Sequence, residues 1–249
     1  MSETRQPSTD LIEIAREQNE MVYRAGTMAA YLYFRYGARE INRPMITGTD
    51  RVPSGSQEIW VFSHRKASDI PLSGVMASMS GGVDAMTGPA KKEFWEQRIG
   101  PINVGRAMEL MGAFPVNNKN WRDRTNIKSM RQAEAYIAAG HPSGWFVEGT
   151  RRDPANHEIG PISPGVIRLA QRTGLPMRIG AMAYTPAENG RLDVGMAIGG
   201  LVGPPETSDK DDLAATVLAV RFALQETYNE ALSIHGVEPT VYPGDWSSE

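Results

Sequence analysis

Cysteine is absent from the 249-residue chain. Disulfides, cysteine-ligated zinc and a thiol nucleophile are therefore excluded, and nothing requires an oxidising compartment. A basic excess is lacking too. The formal net charge is −3, the wrong sign for affinity built on phosphate neutralisation, so no nucleic-acid partner is expected. No stretch reaches about 18 uncharged apolar residues, the length a membrane-spanning helix needs. The longest candidate, Ile70 to Val83, is diluted by Ser and Gly. The opening MSETRQPSTD lacks the basic-then-apolar order of a secretory signal, and the expected location is the cytoplasm.

What is present suits a packed domain: 41% hydrophobic and 22% charged residues, with no repeat, low-complexity tract or composition break. One structural unit is expected, divided into an N-terminal helical segment over 1–37 and a domain over 38–249. Residues 9–37 read as helix, with Asp10 as a cap and no interrupting Pro. Its charged first half gives way to Met21, Val22, Tyr23, Met28, Tyr31, Leu32, Tyr33 and Phe34. Such a helix either docks on its own domain or lies in a membrane interface.

Beyond it, strands and helices alternate. Arg43 to Gly48 and EIWVFS (58–63) read as strands, followed by helices near 71–80, 90–100 and 121–139. A strand over 144–147, a helix over 163–173, strands over 176–184 and 191–198, and a long helix over about 208–235 complete the pattern. This alternation predicts an α/β fold, with a mixed, largely parallel central sheet flanked by helices. Strand ends in such sheets are where sites collect.

Of the four histidines, His64 has the strongest context: VFSHRKASDIPL, an apolar strand ending in His with Asp69 five residues on. In a continuous helix five residues turn about 500°, leaving the two side chains roughly 140° apart. They cooperate only if the backbone bends between them, His in the loop and Asp in the next helix's first turn. The carboxylate then holds Nδ1–H and leaves Nε2 as a general base for a hydroxyl. A lone His with such an Asp is more often a turn-capping histidine than a base. No metal is expected, because His141, His157 and His235 show no ligand spacing.

Two more segments carry candidate chemistry. GWFVEGTRRD (144–153) ends an apolar strand in Glu148, Gly149, Thr150, Arg151 and Arg152. Gly149 permits a tight turn or close ligand approach, and the arginines offer forks for phosphate oxygens. The same pattern also describes a strand running into a charged surface loop. MGAFPVNN (111–118) leads into Lys119, Arg122, Arg124, Lys128 and Arg131, a solvated face or a set of cations for phosphate or anionic lipid.

Together and in order, these pieces resemble the glycerophospholipid acyltransferase family, which includes lysophosphatidic acid and glycerol-3-phosphate acyltransferases. The matching segments are His64–Asp69 (the His-x4-Asp motif), GAFPVNN at 112–118, FVEGTRR at 146–152 and LPMRIGAMAY at 175–184. GPAKKEFWEQRIG (88–100) and SPGVIRLAQRTGLP (163–176) are similar to the segments between the family's motifs. The resemblance implies His64 as base, Asp69 as its orienting partner and Glu148 as shaping the catalytic site. It further implies Gly149, Thr150 and Arg151 against an acceptor phosphate, with Phe146, Arg152, Asn118 and Lys91 or Lys92 completing the substrate-binding set. No cofactor is implied: acyl-CoA or acyl-carrier protein is a co-substrate, the acceptor is a glycerolipid, and attachment is peripheral, at the inner face of an anionic membrane.

The chain departs from the family pattern at three positions, with Asn118 for the usual Arg, Val147 for Pro and Ile179 for a second Pro. Arg65 directly after the His looks closer to the glycerol-3-phosphate branch. With no Cys and no G-x-S-x-G elbow, direct transfer is expected over a covalent acyl-enzyme. Acylation of a glycolipid or other alcohol, hydrolysis, and lipid binding without catalysis are the rival readings.

Overall fold

A computed structural model describes residues 40–42, 44–66, 68–80, 86–99, 102–103, 105, 109, 112–117, 123–239 and 241. The helix expected over 9–37 lies outside the described residues, as do Asn118, Lys119 and Arg122. The central sheet orders its strands β1 (Met45–Thr47), β9 (Leu192–Val202), β8 (Met177–Pro186), β2 (Ile59–Phe62) and β7 (Ser143–Phe146). β8, β2 and β7 are mutually parallel, β9 is antiparallel to β8, and β1 is parallel to β9. A parallel bridge between Thr87 and Ser143 extends the array through β3 (Gly88–Lys91) to its parallel partner β6 (Ala113–Val116). The expected mixed, largely parallel α/β sheet is the observed one.

β2 sits between β8 and β7, and its four side chains, Ile59, Trp60, Val61 and Phe62, are fully buried. Their alternation splits the core in two. Ile59 and Val61 join Phe114, Ile137, Ile167, Leu224 and Tyr228 on one face. This face is covered by α2 (Arg124–Ala138), α3 (Pro164–Thr173) and α4 (Lys210–Ser233). Trp60 and Phe62 join Leu72, Met76 and Ala77 of α1 (Asp69–Met79) on the other. Burial of such side chains contributes about 1.5–3 kcal/mol each.

The helix expected over 90–100 is not formed. Gly88–Lys91 is strand β3, Lys92–Glu96 a short 3-10 helix, and Arg98–Ile99 the strand β4, which hairpins with β5 (Ile102–Asn103). Pairing with β6 draws Ala90 and Lys91 into a strand, and pairing with β5 does the same for Arg98 and Ile99. Gly88 makes the close approach possible, because a Cβ there would lie 2.6 Å from the Gly144 carbonyl oxygen.

Candidate active site

The parallel strands β2, β7, β3 and β6 all end at one edge of the sheet, where His64 and Asp69 follow β2, Glu148 to Arg152 follow β7 and Lys91 closes β3. After Phe62 the chain leaves β2. Ser63 N–H donates to the Gly180 carbonyl, Met182 N–H donates to Ser63 Oγ, and Asp69 begins α1. This bend removes the angular separation a helix would impose. His64 Nδ1 lies 3.1 Å from Asp69 Oδ2.

Asp69 is fully buried, yet its carboxylate is well supplied with donors. Oδ2 also accepts the N–H groups of Arg65 at 2.5 Å and Lys66 at 2.7 Å, and Oδ1 accepts the Tyr184 hydroxyl at 2.5 Å. Its place in the first turn of α1 adds the favourable end of the helix dipole. A carboxylate so held accepts rather than donates, so His64 Nδ1 is the donor in this contact and Nε2 carries the free lone pair. The imidazole, its side chain 14% exposed, is flanked by the Phe146 ring at 4.5 Å between centroids.

Glu148 comes from the loop after β7, its side chain 0% exposed. Oε2 accepts the His64 backbone N–H at 3.0 Å and Arg65 Nη1 at 2.7 Å, and Oε1 accepts the Gly160 N–H at 2.9 Å. Arg65 continues inward, with Nη2 donating to the Glu158 carbonyl at 3.2 Å and its guanidinium 4.7 Å over the Tyr228 ring. Glu148 thus reaches His64 through the backbone rather than standing at the open surface.

The expected substrate-binding residues divide. Gly149 turns the chain at φ 69°, and Gly149, Thr150 and Arg151 are exposed. Arg152 instead folds inward. Its Nε lies 3.4 Å from Glu148 Oε1, its backbone N–H donates to the His64 carbonyl at 2.9 Å, and a Cβ on Gly160 would collide with its guanidinium. Lys91 is exposed at the end of β3. Lys92 reaches Asp123 Oδ2 at 3.3 Å, where the Asn117 side-chain amide also donates at 2.6 Å. Asp123 caps α2 by accepting the Thr125 N–H. The Asn117 bond, then the Thr125 bond, holds its carboxyl well below the usual carboxylate range. Asn118 lies outside the described residues.

Among the described residues, no cluster of three or more His, Asp or Glu side chains is arranged to hold a metal ion, and no helix is long and apolar enough to cross a membrane. A family model for acyltransferases matches residues 43–181, more than half the chain. The chain belongs to the acyltransferase family. This acyltransferase shares its fold with the 1-acyl-sn-glycerophosphate (LPA) acyltransferase PlsC of Thermotoga maritima, known from a crystal structure. The TM-score is 0.58 and the identity 18%, over 94% of this chain and 86% of that one. No curated protein matches it.

Sequence reasoning passed over Tyr184 and Asp123. Tyr184 closes the LPMRIGAMAY segment, but β8 is buried at nine successive positions, so no alternation marks the direction of any side chain. Asp123 falls inside the helix expected over 121–139, whereas the helix begins one residue later with Asp123 as its cap.

Proposed function

We propose that this acyltransferase moves a fatty acyl group from acyl-CoA or acyl-carrier protein to a hydroxyl of a glycerol-phosphate-type acceptor, 1-acylglycerol-3-phosphate or glycerol-3-phosphate. His64 is the general base. The observation that carries this reading is the His64–Asp69 contact at 3.1 Å on the carboxyl edge of the sheet. Nε2 takes the acceptor's proton as its oxygen attacks the thioester carbonyl. The tetrahedral intermediate collapses with loss of thiolate, which takes from the imidazolium the proton that the acceptor gave up. Asp69 stabilises that imidazolium and fixes its tautomer. Exposed Arg151 and Lys91 at the same edge supply cations for the acceptor phosphate.

A second reading, acylation of a glycolipid or another alcohol, is favoured by the carboxylate of Asp123 on Lys92 and by Asn118 in place of the family's arginine. The location proposed is peripheral, at the inner face of an anionic membrane. Salt-sensitive sedimentation with anionic but not neutral vesicles is the expected behaviour. Equal sedimentation with both would remove this location.

The deciding experiment is His64→Ala, assayed with a radiolabelled long-chain acyl-CoA and a panel of acceptors, beside a thermal melt. Turnover should fall by about two to four orders of magnitude with the fold retained, and Asp69→Asn should act in the same direction. Near wild-type turnover in His64→Ala would leave only a shared fold, and lipid binding would become the better reading.

A further inference from the structure

Asp69 has a second buried partner that the reaction scheme above does not use. Tyr184, near the carboxyl end of β8, is 2% exposed, and its hydroxyl donates to Asp69 Oδ1 at 2.5 Å. The same hydroxyl oxygen lies 2.7 Å from Ser68 Oγ. Because the Tyr184 proton is committed to the carboxylate, Ser68 must be the donor in that second bond. Ser68 O–H thus donates to the Tyr184 oxygen, and Tyr184 O–H and His64 Nδ1–H both donate to the Asp69 carboxylate. The two bonds to Asp69 use opposite carboxylate oxygens.

Tyr184 is anchored in the central sheet, where β8 pairs with both β2 and β9, whereas His64 and Asp69 stand on a loop and a helix end. We propose that Tyr184, oriented by Ser68, is a positioning residue for the transfer reaction. It locks the rotation of the Asp69 carboxylate so that Oδ2 faces His64, and it draws off part of the negative charge that the imidazolium would otherwise feel. This inference rests on the acyl-transfer reading of the His64–Asp69 pair. Desolvation, followed by the Asp69 charge, pushes the Tyr184 hydroxyl far above its ordinary value, so it remains a donor across the working pH range.

The charge environment is otherwise fixed. Lys66 lies 5.9 Å from the Tyr184 ring centroid, Arg65 and Glu148 pair with each other behind His64, Arg152 pairs with Glu148, and Tyr228 of α4 faces Arg65. Removing the Tyr184 hydroxyl therefore alters the dyad through Asp69. With one donor lost, more negative charge remains to stabilise protonated His64, and its titration moves to higher pH.

The test is Tyr184→Phe, with Ser68→Ala as a milder companion. Steady-state rates across pH should give a kcat lowered about tenfold, an acceptor KM within about twofold, and an acid limb of kcat/KM displaced upward. Ser68→Ala should show the same pattern at smaller size, and it decides the matter if Tyr184→Phe does not fold. A kcat loss without displacement of the acid limb, or wild-type values for both, overturns the proposal. NMR titration of the His64 ring nitrogens follows the same displacement without any substrate. It therefore separates failure of this inference from failure of the acyl-transfer reading.

Discussion

Glu148 holds His64 by its main chain: Oε2 accepts the His64 N–H at 3.0 Å, while Asp69 holds the ring of the same residue at 3.1 Å. Two carboxylates from different elements thus fix the backbone and the ring independently. Glu148 also neutralises buried Arg65 at 2.7 Å, so the loop carrying the proposed base depends on a desolvated ion pair.

Glu148→Gln should therefore be costly twice over. It leaves the Arg65 guanidinium without its counter-charge in a site where both side chains are 0% exposed, a loss of about 3–5 kcal/mol. It also loosens His64, lowering kcat with little change in acceptor KM. Urea unfolding and steady-state kinetics check the two effects. Wild-type stability in this variant would show that the pair contributes nothing.

Asp123→Asn should leave neutral-pH stability nearly unchanged, because Asn caps helices as well as Asp does and the Lys92 pair is partly exposed. Acid behaviour should differ. A carboxyl whose folded value is depressed stabilises the fold above its unfolded value, about pH 4. That contribution is lost as pH falls toward the folded value. Thermal melts between about pH 4 and pH 2 should decline more steeply for wild type than for Asp123→Asn. Parallel curves would show that the carboxylate is uncoupled from folding.

Arg151→Ala should raise the KM for a phosphate-bearing acceptor about tenfold, with a smaller effect on the KM for acyl-CoA. Asp123→Asn should do the opposite, since Lys92 loses its carboxylate partner and becomes available to phosphate. Glycerol-3-phosphate should gain relative to a monoacylglycerol. Initial rates with both substrates varied measure these ratios. An unchanged ratio in both variants would place the acceptor's headgroup elsewhere.

The α/β alternation, the buried strand EIWVFS and the order of motifs that carries the family resemblance are legible in the residues alone. These rest on local composition and spacing, which survive without coordinates. Ala90 and Lys91 are strand rather than helix because their partner β6 lies more than twenty residues on, and pairing across that distance leaves no local trace. The roles of the site residues were decided by tertiary structure for the same reason. Arg151 and Arg152 are adjacent and chemically identical, yet one faces solvent and the other folds onto Glu148. Tyr184 reaches Asp69 across 115 residues of chain. A side chain's direction in a strand buried on both faces has no periodic signature, so only packing reveals what it touches.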